Sequence, residues 1–253
     1  MKILITGSLG AVGRNIYLNA LKPTRKEMDI TDYLQVREYL RSTKPEVIIH
    51  LASIVGGECD KDKVKAIKTN VEATDNLYRM GLDVGVKKFI FLSSSAVYHQ
   101  KELKPTKENE NIDPKTFYGE TKLRAEQKLI HGRALILRVF NIYGRNFQSS
   151  LINRLVAQEQ MEIRSPDHFW RDYIHIGQVA DIIQEAVYNE ALGEVNLGTG
   201  VARNTSQVIG FLNSVGIFPD YKVVRGEQSI TWADTSKLKQ LFNKVPISDI
   251  ILL

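Results

Sequence analysis

Apolar residues come in short unbroken runs separated by stripes of helical period. Ile3-Leu4-Ile5 predicts a buried strand that halts at Thr6-Gly7. Val12, Ile16, Ala20 and Leu21 then share one side of a helix predicted over 11–21 and ended by Pro23. Residues 24–32 are too polar for a full buried strand. Asp32 or Thr31 caps a helix over 33–40, a buried strand covers 47–52, Gly56-Gly57 marks a loop, and a long helix over 64–80 contains Asn70. A third strand, over 89–92, runs directly into Ser93-Ser94-Ser95. After a polar loop at 99–116 come a helix from Phe117 or Tyr118 to Ile130, a strand over 134–140 and a helix from Leu151 to Gln158. An alternating strand over 171–176, a helix over 179–188 and a short strand over 195–197 follow. The C-terminal stretch predicts a helix near 208–212, strands near 221–224 and 230–232, and a helix near 238–242. Buried strands alternating with helices predict an α/β fold with a doubly wound parallel sheet, whose ligands sit at the carboxyl ends of its strands. Residues 1–144, joined by 171–197, form the main domain of this reading, and 145–170 with 198–253 a small C-terminal α+β lid.

The first turn carries the earliest chemical signal. Gly7, Gly10 and Gly13 follow a strand and precede the predicted helix. This is the order that forms a phosphate cradle: a tight turn at Gly7, close approach of an anion at Gly10, and helix against strand at Gly13. A dinucleotide is the ligand that fits. The polar stretch 24–32 then occupies the place that reads the adenosine ribose. A carboxylate there accepts from a free 2'-hydroxyl, and a cation favours a 2'-phosphate. Arg25 and Lys26 precede Glu27, which tilts the cofactor toward NADP, with NAD as the alternative.

Composition narrows the class. A chain of 253 residues fits one α/β domain with a small appendage. The net charge of +5 comes from basic residues scattered along the chain, which argues against a nucleic-acid groove and suits an anionic small substrate. No apolar run approaches the roughly 18 to 20 residues of a membrane span, and the apolar start is too short for a signal peptide. A single cysteine, Cys59, fits a reducing cytoplasm. The histidines and Cys59 show no metal-ligand spacing, so no metal is expected.

Tyr118, Lys122, Ala125 and Leu129 stand at i, i+4, i+7 and i+11, which turns a lysine toward the packed face of a helix. Such a lysine needs a partner, and Glu126, near the same arc, is a candidate structural ion-pair mate.

Several motifs in order carry a resemblance: Thr6-Gly7-x-x-Gly10-x-x-Gly13, Ser93-Ser94-Ser95-Ala96-Val97-Tyr98 and Tyr118-Gly-Glu-Thr-Lys122. They resemble the extended short-chain dehydrogenase/reductases. Arg138-Val-Phe-Asn-Ile-Tyr-Gly144, Arg171-Asp-Tyr-Ile-His175 and Asn196-Leu-Gly-Thr-Gly200 narrow the likeness to the branch acting on nucleotide sugars, over nearly the whole chain. The resemblance implies a Rossmann fold with a substrate lid, a nicotinamide dinucleotide and a nucleotide-diphosphate sugar. It implies Tyr118 as general acid/base, with its pKa brought down by Lys122, which also holds the nicotinamide ribose so that both residues border the cofactor, and Ser94 as the hydroxyl that polarises the substrate oxygen. Leu9, Val12, Leu51, Ala52 and Asn70 would accompany the glycine turn at the cofactor, together with the Asp29-Ile30 pair at the adenine. Ser95, Asn141, Arg171 and Arg225 would meet the substrate, although Arg225 reads equally as a solvated arginine. Enzymes of this fold pair through helices, so a homodimer is the assembly the resemblance admits.

Departures sharpen the expectation. Ser95 and Ala96 stand where sugar-nucleotide 4,6-dehydratases place acidic residues, which removes the proton donor for water elimination. The cysteine and histidine of GDP-fucose synthases are also missing, although residues 24–32 resemble those synthases and the dTDP-4-dehydrorhamnose reductases. The expected activity is NADPH-linked reduction of a nucleotide-activated 4-keto-6-deoxyhexose for surface glycan synthesis. A 4-epimerase with tightly held NAD is the alternative. A noncatalytic nucleotide-binding regulator is a third reading, which the complete Ser94, Tyr118 and Lys122 set opposes.

Overall fold

The computed structural model describes residues 1–129, 132–157 and 160–250. In chain order the first elements are β1 (Ile3–Thr6), α1 (Tyr33–Thr43), β2 (Val47–His50), α2 (Glu58–Lys61), α3 (Lys63–Ile67), α4 (Ala73–Asp83), β3 (Lys88–Ser94), α5 (Phe117–Glu126), β4 (Ala134–Val139) and β5 (Asn141–Tyr143). After them come α6 (Leu151–Val156), β6 (Met161–Arg164), β7 (Phe169–His175), α7 (Ile176–Ala186), β8 (Gly193–Leu197), β9 (Ala202–Asn204) and α8 (Thr205–Ser214). The chain closes with β10 (Tyr221–Val224), β11 (Ser229–Thr231) and α9 (Ser236–Leu241). The expected ends of two helices, Ile130 and Gln158, lie outside the described residues.

Five strands in the order β1-β2-β3-β4-β8 pair in parallel. Apolar residues face both sides because helices cover both. Ile3 and Ile5 of β1 pack in the cluster that takes Val179, Ile182 and Ile183 of α7, and Leu4 packs in the cluster that takes Val36, Leu40 and Leu77 of α1 and α4. All five strands end on the side of the glycine turn and the serine run, as a parallel α/β sheet requires of a ligand site.

The helix expected over 11–21 does not form. Only a single 3-10 turn, Gly13–Asn15, follows the glycines, and the chain then runs extended to Leu21. Leu21 exchanges backbone bonds with Ile3 and Ile5 at 2.8 and 2.9 Å, so a one-residue bridge takes the place of a further strand beside β1. The stripe Val12, Ile16, Ala20 and Leu21 does turn inward, through a compact turn and an extended run instead of three helical turns.

The long helix expected over 64–80 is interrupted by a π-type turn, Lys68–Glu72, which carries Asn70 inward. Such turns are often found beside functional sites. Beyond the main sheet, α6, β6 and α8 share a third apolar cluster with Tyr143 and Tyr173. Leu238 of α9 and the following Phe242 join the cluster of the main sheet, so the last helix of the expected lid packs with the larger body.

Candidate active site

Two cavities meet at the glycine turn. The smaller, about 380 Å³, runs between Pro23–Thr31 on one wall and Ala52, Ser53, Lys65 and Thr69 on the other. The larger, about 1190 Å³, passes from the glycines and Leu51 over Ser94, Tyr118 and Lys122 to Asn141, Arg171 and Tyr173. Gly7 and Gly10 border both. Gly7 has a φ of +72°, and a Cβ there would stand 2.6 Å from the Ala52 nitrogen. A Cβ on Gly13 would stand 2.6 Å from the Gly7 carbonyl oxygen. The turn therefore folds onto itself and onto the end of β2 with no room for side chains. Its open side fits an elongated dinucleotide, with the adenosine end in the small cavity and the reactive end beside Tyr118.

Most predicted cofactor residues line this path: Gly7, Leu9, Gly10, Arg25, Asp29, Ile30 and Ala52 in the small cavity, and Val12, Gly13, Leu51, Tyr118 and Lys122 in the large one. Asn70 does not. Its carboxamide accepts from Ile54 N at 2.8 Å and donates to Ile54 O at 2.9 Å and Thr121 Oγ1 at 3.0 Å, tying the loop after β2 to α5 beneath the cavity floor. Its two-sided amide serves to hold the loop. The Asp29 carboxylate accepts from Thr31 and from Arg25 Nε at 2.9 Å, and these bonds outweigh burial to keep it below the usual range.

The catalytic candidates converge. Ser94 Oγ accepts from Ala96 N at 3.1 Å, which starts the short turn after β3, and it lines the large cavity together with Tyr118. Helix α5 reaches this turn closely because residue 119 is glycine. A Cβ there would lie 2.1 Å from the Ala96 carbonyl oxygen. Lys122 is buried, donates from Nζ to the Leu92 carbonyl at 2.8 Å, and stands 4.6 Å from the Phe91 ring centroid. Burial brings it down to about 8. The expected fall of the Tyr118 pKa is not seen. Burial pushes it up to about 12 against the opposing effect of the Ser94 hydroxyl, and the Lys122 ammonium, 6.0 Å from the Tyr118 ring centroid, is engaged by Leu92. In the protein alone Tyr118 thus holds its proton at neutral pH, ready to give it to a substrate oxygen.

Glu126, the candidate structural mate of Lys122, is paired elsewhere. Glu126 meets Arg138 through both oxygens, at 3.1 and 2.7 Å, with both side chains almost wholly buried, and it accepts from Ser93 Oγ. Beneath Lys122, His50 lies between Thr6 Oγ1 at 2.6 Å and Thr74 Oγ1 at 2.9 Å. Thr74 gives its own proton to the Asn70 carbonyl, so His50 Nε2 donates to it and Nδ1 accepts from Thr6. Burial, with the charge of Lys122, holds His50 neutral with a pKa of about 3.

Ser95, Asn141 and Arg171 line the substrate end of the large cavity. Asn141 donates to Thr231 Oγ1 at 2.7 Å. The Arg171 guanidinium lies 3.5 Å from the Phe169 ring centroid and donates to Ser229 O at 2.9 Å and Ser229 Oγ at 2.8 Å. Arg225 borders neither cavity, in keeping with the solvated reading of that residue. Sequence reasoning missed Tyr98, Ser150 and Tyr173 in the wall. Tyr173 had a signal, since period two on β7 places it on the face of Arg171. The Ser150 and Tyr173 hydroxyls are buried and make no hydrogen bond among the described residues.

The sequence model of the NAD dependent epimerase/dehydratase family matches residues 3–198, which include the glycine turn, the serine run and the Tyr118 helix. The chain belongs to this family. It is 28% identical over 261 residues to a UDP-glucose 4-epimerase of Rhizobium leguminosarum bv. trifolii, covering 89% of this chain and 80% of the relative. It is 27% identical over 239 residues to a GDP-6-deoxy-D-talose 4-dehydrogenase of Aggregatibacter actinomycetemcomitans, covering 86% and 81%. Among solved structures, the dTDP-4-dehydrorhamnose reductase of Bacillus anthracis str. Ames in complex with NADP aligns with a TM-score of 0.83 at 19% identity, over 98% of this chain and 94% of that one. This member of the epimerase/dehydratase family is an NAD(P)-dependent nucleotide-sugar enzyme. No helix among its described residues is long and apolar enough to cross a membrane.

Proposed function

We propose that this enzyme reduces a nucleotide-activated 4-keto-6-deoxyhexose at C4 with NADPH, for surface glycan synthesis in the cytoplasm. The observation that carries the reading is the open adenosine end of the cofactor path. With the expected helix reduced to one turn, Leu9 is 64% exposed and the Arg25 side chain 73% exposed on its rim. A reductase must exchange its cofactor at every turnover, whereas an epimerase keeps the dinucleotide through the whole cycle. An open rim favours exchange, and Arg25 on it favours a 2'-phosphate. The likeness to a GDP-6-deoxy-D-talose 4-dehydrogenase supports a 6-deoxyhexose and chemistry at its C4.

When bound, the dinucleotide supplies the hydride. Tyr118 gives its proton to the C4 oxygen, Ser94 orients that oxygen, and Lys122 meets the nicotinamide ribose and restores charge balance at the tyrosinate. Arg171 and Asn141 meet the diphosphate, and Ser95 the sugar. Mixing the purified enzyme with NADPH and a dTDP- or GDP-linked 4-keto-6-deoxyhexose tests the proposal. Loss of reduced-nicotinamide absorbance should match product mole for mole. Firmly bound NAD with no NADPH consumed would replace it with the 4-epimerase reading.

A further inference from the structure

Helix α5 meets the last residues of β3 at three successive positions and bonds to two of them. Lys122 holds the Leu92 carbonyl, Glu126 accepts from the Ser93 hydroxyl, and Tyr118 lines the cavity beside Ser94. Tyr118, Lys122 and Glu126 stand at i, i+4 and i+8, one face of one helix. Two members of this stripe belong to the catalytic set, and the third has no assigned part in it.

We propose that Glu126 is a positioning residue of the active site: through Ser93 it fixes the strand end that carries Ser94 against Tyr118, and it keeps a negative charge one helical turn from Lys122. A purely structural Glu126 would serve only Arg138. The geometry goes further than that. Oε1 is shared between Arg138 Nε at 3.1 Å and Ser93 Oγ, so the carboxylate joins β3 and β4 to the helix at the level of the catalytic hydroxyl. Arg138 has other acceptors, the Tyr98 hydroxyl at 2.8 Å and the Glu108 carbonyl at 2.6 Å, and through Tyr98 the same unit fixes part of the cavity wall.

The charge argument rests on what surrounds Lys122. The groups facing it are Tyr118 and Glu126 on α5, Cys59 on α2 and His50 on β2. Burial keeps the tyrosine, the thiol and the imidazole neutral at physiological pH. Glu126 is the one carboxylate of this set, and it favours the charged lysine.

Two variants separate positioning from plain structural support. Ser93→Ala removes one hydroxyl and leaves the Glu126–Arg138 pair intact. Its kcat should fall about tenfold with KM for NADPH unchanged, because the displaced group is Ser94. Glu126→Gln alone would bury an unpaired Arg138 charge and endanger folding, so the charge is tested in Glu126→Gln/Arg138→Met, where the new carboxamide can still accept from Ser93. Of the two charges removed in that double variant only Glu126 acts on Lys122, so the Lys122 titration, followed by carbon NMR at its Cε, should move to lower pH. This readout needs no turnover, so it stands even if the wild-type enzyme reduces no 4-keto sugar, a result that would count against the reaction proposed above and not against this inference. A Lys122 titration unchanged in the folded double variant, or a wild-type kcat in active Ser93→Ala, would overturn the positioning role.

Discussion

At the scale of single residues, the chemistry turns on where one proton sits. Tyr118 holds its proton through neutral pH, and Lys122, at about 8, is still mostly charged there. Tyr118→Phe keeps the ring in place and removes the proton. Its kcat should fall about 10³-fold, in the range of a lost general acid, while NADPH affinity measured by calorimetry stays within about twofold, since Lys122 and the glycine turn are untouched. Residual turnover near the wild-type rate would transfer the acid role to another group. Much at this scale was legible in the sequence. Spacing puts a tyrosine and a lysine on one helical face after a strand ending in serines, and the resemblance supplied their roles. The partner of Glu126 could not be. A helical pattern shows its neighbour at i−4 but not Arg138, which arrives from β4, and a bidentate guanidinium outbids an ammonium for a buried carboxylate.

Elements place these groups, and their failures of prediction are instructive. Four apolar positions over 11–21 fit a helix, yet Leu21 is needed as a backbone partner along the edge of β1, and an extended run reaches that edge where a helix would turn away. The periodicity of 64–80 is helical but cannot reveal that Asn70 needs a π-type turn to reach both Ile54 and Thr121. The short strand β6 escaped notice because four alternating residues, Met161 to Arg164, carry too little pattern. The contact between α5 and the turn after β3 makes a direct prediction. Gly119→Ala would set a methyl against the Ala96 carbonyl, and one of the two elements must move. Stability in urea should drop by about 1–3 kcal/mol, and kcat should fall with it because Tyr118 travels with the helix. A variant as stable and active as the parent would show that the helix does not sit so close.

Taken whole, the described residues build a five-stranded parallel sheet with two smaller sheets, β10-β6 and β11-β7-β5 with β9 on β7, and the pH response follows from groups buried for other reasons. His50 titrates at about 3 in the fold and near 6.5 when unfolded. The unfolded chain therefore binds its proton first, and stability should fall as pH drops below about 6.5, by about 1.4 kcal/mol per unit until the lower value is reached. Urea unfolding at pH 7, 6 and 5 measures this slope, and His50→Asn should flatten it. An equal slope in the variant would assign the acid sensitivity elsewhere. The architecture itself was readable from buried runs alternating with helices. The assignment of α9 to the main body was not, because Leu238 and Phe242 look the same in sequence whichever core receives them.

Hydride bookkeeping tests the proposed reaction most directly. With NADPH deuterated on the transferred face of its nicotinamide, each molecule of product sugar should carry one deuterium at C4, found by mass spectrometry and located by NMR, with one NADP released. Product inverted at C4 with no deuterium, formed while the added NADPH is untouched, would contradict the account and identify an epimerase that returns the substrate's own hydrogen.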